Sequence, residues 1–177
     1  MSTTKILLSG FGGQGILFAG KLLAYKGLVD DKQVSWLPSY GPEMRGGTAS
    51  CSVIISDEPV GSPIISNPDI LIAMNLPSLD KFESTVTPGG IIIADSTLIE
   101  RKVERTDVTA YYVPATGMAS ENNIKSLANM IIMGKLLSVM GEFDEANVKD
   151  TLAKVIPPKK ADMLEVNLNA MKMGADL

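Results

Sequence analysis

With 177 residues, 45% of them apolar, the chain is long enough to bury a core and short enough to be read as one domain over 1–177. Sixteen basic against twenty acidic residues give a net charge of −4 with no basic block, which argues against nucleic acid as the main partner. The chain has no histidine and one cysteine, Cys51, so it excludes a histidine base, a Ser-His-Asp triad, an internal disulfide and a self-contained four-cysteine zinc or iron-sulfur site. No apolar run approaches a membrane span, and the first residues lead directly toward a strand, so no membrane partner and a cytoplasmic protein are expected.

In chain order, Lys5 to Ser9 reads as a buried strand, followed by Gly10-Phe11-Gly12-Gly13-Gln14-Gly15 and a helix from about Ile16 to Leu28. A glycine turn between a strand and a helix leaves N–H groups unpaired at the positive end of the helix dipole, a setting that attracts phosphate. In a G-x-G-x-x-G reading, Gly10 makes the tight turn, Gly12 admits a ligand close to the backbone and Gly15 lets the helix pack tightly. The plainer alternative is a turn used for packing alone. Gln33 to Leu37 gives a second strand ending at Pro38. A nicotinamide site needs an acid at the far end of that strand, whereas Asp30 and Asp31 precede it, which counts against NAD.

Ser39 to Thr48 holds Tyr40, Glu43, Arg45, Gly46 and Gly47 in one short loop. If the first two strands are parallel, this loop and the glycine turn share the carboxyl edge of the sheet and form one crevice. Arg45 offers a planar fork for phosphate or carboxylate, Tyr40 a stacking face, and Gly46-Gly47 a backbone free to wrap an anion, with Glu43 orienting Arg45. The alternative is a solvated loop. Thr48 to Ser56 reads as a strand, with Cys51 as a small buried hydrophobe, and a turn at Asp57-Glu58-Pro59 is expected to start a return strand at Val60, making a hairpin at the sheet edge.

Further strands are expected at Asp69 to Met74, Ile91 to Ala94 and Thr109 to Val113, with a short helix over Pro77 to Val86 after Asn75. Ala115 to Met118 reads as another loop on the crevice edge, where Thr116 either bonds a ligand or caps the next helix. Helices are expected from Ser120 to Met140, stopping at Gly141, from Asp144 to Val155, and from about Ala161 to Met173. The fold class is therefore three-layer α/β, with a mainly parallel sheet, a Rossmann-like first βα unit and a helical C-terminal part.

The two glycine-bearing segments, Gly10 to Gly15 with Ala19-Gly20 and Tyr40-Gly41-Pro42-Glu43-Met44-Arg45-Gly46-Gly47, are together far more specific than either alone. With Asp69 to Asn75, Pro114-Ala115-Thr116, Asn129-Met130, Pro158-Lys159, Asn167 and Ala170, the chain resembles the gamma subunit of the 2-oxoacid:ferredoxin (acceptor) oxidoreductases over nearly its whole length.

That resemblance implies a part of a multi-subunit enzyme that decarboxylates a 2-oxoacid, such as pyruvate or 2-oxoglutarate, and releases an acyl-coenzyme A. Thiamine diphosphate, magnesium and iron-sulfur clusters would reside in alpha and beta subunits or a ferredoxin-like delta subunit, and ferredoxin would accept the electrons. Asn122-Asn123 stands without the Gly-Asp-Gly of a thiamine site, so no catalytic and no metal-binding residue is assigned to this chain. Coenzyme A is the co-substrate it would meet. By the resemblance, Gly12, Gly13, Gln14 and Gly15 face a phosphate, while Tyr40, Glu43 and Arg45 shape the adjoining crevice or a subunit contact. The rival readings are a nucleotide-binding regulatory module without catalysis and an autonomous NAD-dependent dehydrogenase.

Overall fold

A computed structural model of the chain describes residues 2–39 and 47–177. The strands are β1 (Thr3–Phe11), β2 (Gln33–Ser39), β3 (Thr48–Ser56), β4 (Ile70–Ala73), β5 (Ile91–Asp95) and β6 (Thr109–Val113). The helices are α1 (Ile16–Val29), α2 (Leu76–Phe82), α3 (Ala115–Glu121), α4 (Ala128–Met140), α5 (Glu145–Val155) and α6 (Met163–Ala175). Short 3-10 turns follow α2 and precede α4 and α6.

The six strands form one sheet in the order β2-β3-β1-β4-β5-β6. Parallel pairing links β1, β4, β5 and β6, while β3 is antiparallel to both β1 and β2. Two reversals cancel, so β2 runs the same way as β1 and only β3 opposes the other five. An antiparallel edge was expected from a strand at Val60. It is instead the β2–β3 pair that supplies it, and residues 57–69 are irregular, because Gly61 and Pro63 interrupt any ladder there.

Alternation along the strands sends residues to two unequal cores. Ile6, Leu8, Cys51, Val53, Ile70, Ile72, Met74, Ile93 and Val113 face α1, α3, α4, α5 and α6. Leu7, Leu71, Ala73, Ile92 and Ala94 face the other way, under α2 and the segment carrying Ile99, Val103 and Val108. On the thick side, α4 is buried nearly all round and crosses α6 where Gly134 and Gly174 bring the two backbones together. A methyl group on either glycine would collide with backbone of the facing helix. Gly20 likewise lets α1 settle on Cys51 and Trp36. Burial pushes the Cys51 thiol up to about 12, with weaker opposing effects from Trp36 and the Gly20 backbone, so it is packing material and not a nucleophile.

The long helix expected from Ser120 to Met140 is broken. The chain turns at Asn122–Asn123, with Asn123 at φ 58, before α4 begins. Asn and Asp tolerate this left-handed conformation better than most residues. Likewise the segment after Pro114, expected as a loop, is helix α3. Asp144 caps α5 by accepting from the Asn147 amide at 2.8 Å, and Asn75 caps α2 by accepting from the Ser78 amide at 2.8 Å.

Candidate functional site

From β1 the chain crosses by α1, on the thick face, to β2 and β3. It then returns to the other side of β1 as β4, from which α2 leads away on the thin face. This reversal makes the carboxyl ends of β1 and β4 a topological switch point, where open α/β sheets bind ligands. The glycine turn lies there.

Gly10 lies within β1, opposite Ala49 of β3, and the turn begins only after Phe11. Its role is clearance rather than turning: a Cβ would sit 2.5 Å from Gln14 Oε1 and 3.0 Å from Met74 Cβ. Gly15 precedes α1 at φ 74, the left-handed region open to glycine, and no side chain caps the helix. Among the described residues, the first amides of α1 therefore have neither an intrahelical acceptor nor a side-chain acceptor. Gly13, at φ 93, has no atom of the described residues within 4 Å of where its Cβ would be, so among them this side of the turn is open. Beside it is a cavity of about 290 Å³ lined by Phe11, Gly12, Gly13, Gly15, Ile16, Leu17, Phe18 and Ala49.

The turn is braced from three directions. Gly12 N–H donates to the Gly47 carbonyl at 3.2 Å, which ties the glycine turn to the start of β3 and places Gly47 at the same edge of the sheet. Gln14 has no free end: Oε1 accepts from Phe11 N–H at 2.6 Å and Nε2 donates to the Met74 carbonyl at 3.1 Å. The Gln14 amide thus bridges β1 and β4 across the switch point. Asn129, at the start of α4, donates from Nδ2 to the Gly15 carbonyl at 3.1 Å and accepts from the Met130 amide at 3.0 Å. A Cβ at Gly15 would collide with that Asn129 side chain, so tight packing at Gly15 is against α4 rather than against the strand.

Thr116 is in the first turn of α3. Its hydroxyl donates to Asp95 Oδ2 at 2.5 Å and its amide to the same oxygen at 3.2 Å. Asp95, fully buried at the end of β5, also accepts from the Thr97 amide at 3.1 Å, so one carboxylate ties β5 to α3. Tyr40, Glu43, Arg45 and Gly46 lie outside the described residues. Of the acids weighed for a ribose, Asp30 pairs with Lys26 and accepts from Asn147 Nδ2 at 2.8 Å, at the end of the sheet away from the glycine turn.

Asp95 and Asn129 are the site residues the sequence did not point to. In the sequence Asp95 is only the acid that ends the strand run Ile91 to Ala94, and Asn129 only one of the residues that carry the family resemblance, with no role of its own. A second cleft, of about 530 Å³, opens at the opposite edge beside Ser2, Asp69, Thr87 and Gly89. Its Asp69 carboxylate is already taken by the Lys5 amide at 2.9 Å and Thr87 Oγ1 at 3.3 Å. Among the described residues no cluster of acids and Cys51 is arranged to hold a metal, and no helix is long and apolar enough to cross a membrane.

Comparison with known proteins gives concordant results. Residues 5–177 match the model of the family described as pyruvate ferredoxin/flavodoxin oxidoreductase. The ketoisovalerate oxidoreductase subunit VorA of Methanothermobacter marburgensis is 37% identical over 173 residues, 97% of this chain but 36% of the relative, so the chain spans about a third of that protein. The 2-oxoglutarate synthase subunit KorC of Methanocaldococcus jannaschii is 35% identical over 176 residues, covering 98% of this chain and 92% of the relative. The crystal structure of a keto/oxoacid ferredoxin oxidoreductase gamma subunit from Geobacter sulfurreducens superposes with a TM-score of 0.85 at 28% identity, covering 99% of this chain and 96% of that one.

Proposed function

We propose, from the premise that the chain belongs to the pyruvate ferredoxin/flavodoxin oxidoreductase family, that it is the gamma-type part of a multi-subunit enzyme that oxidatively decarboxylates a 2-oxoacid to an acyl-coenzyme A. Its own contribution is the wall of the crevice that receives coenzyme A, and a face for its companion subunits. Thiamine diphosphate with magnesium and the iron-sulfur clusters belong to the alpha, beta and any delta companions, and ferredoxin takes the electrons.

The observation that carries this reading is the uncapped N-terminus of α1 behind an open glycine turn, beside the cavity at Phe11 to Phe18. The amides of Gly13 and of Gly15 to Phe18 suit a phosphate oxygen, since they are neutral donors at the positive end of a 14-residue helix, whereas the Gln14 amide already donates to the Phe11 carbonyl at 3.2 Å. Coenzyme A supplies the thiol that leaves as a thioester. This chain binds and orients its phosphate end. Gly12 and Gln14 hold the turn's shape from behind, and Gly13 leaves its front clear. Arg45, outside the described residues, is the guanidinium fork that the sequence offers for the same phosphate. The coarse substrate class follows the relatives, whose names refer to ketoisovalerate and 2-oxoglutarate.

The test is kinetic. In the assembled enzyme, Gly13→Val is expected to raise the KM for coenzyme A by about tenfold or more, by putting carbon where a phosphate would approach. Arg45→Ala is expected to cost about 1.5–3 kcal/mol of coenzyme A binding if a charged hydrogen bond is lost. Unchanged KM values in both variants would retire the phosphate assignment, as would robust turnover by the lone chain for the subunit assignment.

A further inference from the structure

The two faces of the sheet are not equally covered. No residue of β2 or β3 joins the core under α2, which packs on β1 and β4. Register and alternation place Ser35 and Leu37 of β2, and Ser52 and Ile54 of β3, on that thin face: Cys51 and Val53 point to the thick core, Leu37 pairs with Ser52, and Ser35 pairs with Ile54. Leu37 remains 42% exposed, and Ile64, in the irregular segment beside Ile54, is 70% exposed. Between those two aliphatic side chains the face presents small hydroxyls and carbon, with Lys5 at its inner border. Ile54 and Ser56 are buried beside residues 59–64, so among the described residues the open part of this face lies around Ser35, Leu37 and Ser52, and its exposed Leu37 and Ile64 form the kind of apolar patch that marks an interaction surface.

The occupant is indicated by the two relatives. In VorA the matched unit is 36% of a longer chain, whereas in KorC it is 92% of the chain. A unit that occurs both within a longer chain and nearly alone needs a docking surface of its own. The tether, where present, raises only the effective concentration. The surface must therefore lie on the unit itself, and small side chains on a flat sheet allow close approach of another protein's backbone.

We propose that the thin face of β2 and β3, centred on Ser35, Leu37 and Ser52 and reaching Ile64, docks the companion subunit that corresponds to the remainder of the longer relatives' chain. This rests on the subunit reading above. The partner surface is apolar and neutral where it meets Ser35, Leu37 and Ser52, none of which carries a charge; toward Ile64 the face holds a cleft of about 290 Å³ with Lys5 in its lining. It is distinct from the glycine turn, which opens toward Phe18 and Ala49 on the other side of the sheet.

The buried Cys51, with its thiol pushed up to about 12, makes a direct footprint possible, because an introduced thiol would be the only reactive one. Ser52→Cys and Ser35→Cys chains, each free or assembled with co-expressed companion subunits, are treated with a thiol reagent and followed by mass spectrometry. Ala153→Cys, exposed on α5, is the control. The expected result is at least tenfold slower labelling of Cys at 52 and 35 in the assembly, with the control unchanged. Leu37→Arg is expected to weaken assembly at least tenfold at unaltered Tm.

Assembly that leaves both thin-face thiols as reactive as in the free chain overturns the proposal alone. Protection in the free chain that grows with its own concentration means a second copy is the occupant, and also overturns it. Failure of the unsubstituted chain to assemble at all removes the subunit reading and this proposal with it.

Discussion

The thick and thin faces of the sheet are cut from the same strands, yet they carry opposite loads. On one side α1, α3, α4, α5 and α6 bury a continuous apolar layer against β1 and β3 to β6, and glycines bring helix backbones into contact. On the other, a single seven-residue helix and one irregular segment cover β1, β4 and β5, residues 59–64 lie beside Ile54 and Ser56, and among the described residues no helix packs on this face of β2 or β3. The lesson is a division of labour: the thick face holds the fold and braces the glycine turn through Asn129, while the two roles proposed above fall on the carboxyl edge and the thin face.

That comparison is broken most sharply by crowding the thick face. Gly134→Val puts a branched side chain where α6 backbone already lies. The α4–α6 crossing must open, at an expected cost of about 3 kcal/mol or more in denaturant unfolding. A variant as stable as the parent would mean that the helices pack with slack. Next in size is Asn129→Ala, which strips the Gly15 carbonyl and the Met130 amide of a buried partner. A loss of about 1–3 kcal/mol is expected. On the proposed phosphate role of the turn, the KM for coenzyme A in the assembled enzyme should rise as well, because the turn loses its brace. A stability loss without any change in KM would separate the brace from the site.

Leu37→Ala sharpens the same contrast from the other side. On the thin face the change should stay within about 0.5 kcal/mol in the free chain, as surface substitutions do. The same truncation at Leu8, fully buried on the thick face, should cost about 2–5 kcal/mol. A comparable loss at both positions would mean that the thin face is already packed.

Much of this was legible in the sequence because it is local. Apolar runs bounded by Gly, Pro and Asp announced every strand of the sheet, and Asn75 and Asp144 announced their helices by capping chemistry. Gly47 meets the glycine turn at the carboxyl edge, although β2 and β1 are parallel through two reversals rather than as neighbours, while residues 40–46 of its segment lie outside the described residues. What was missed is non-local. Gly10 reads as a turn residue until pairing with Ala49 draws it into β1. Thr116 reads as a loop hydroxyl until Asp95, twenty-one residues earlier, meets it in space. The serines of β3 alternate with apolar residues like those of any half-buried strand, and only the register shows that no helix covers them. The break at Asn123 depends on a left-handed backbone angle that an apolar helical stripe conceals.

The smallest effect is expected where the thin face ends, at the turn after β3. Asp57 accepts from the Ser2 amide at 2.8 Å and the Ser2 hydroxyl at 3.2 Å, and pairs with Lys32. The Lys32 ammonium first, then the Ser2 donors, hold its carboxyl down to about 2. Because the folded-state value lies below the ordinary one of about 3.9, its contribution is complete above about pH 4 and fades as the pH falls toward 2. Asp57→Asn removes this contribution, so the Tm curves of parent and variant should differ slightly at pH 5 and converge as the pH approaches 2. Added salt should narrow the gap at pH 5, since the pair is exposed to solvent and screened. A gap that keeps its size from pH 5 to pH 2 would show that ionised Asp57 does not fasten the start of β1 to the end of β3.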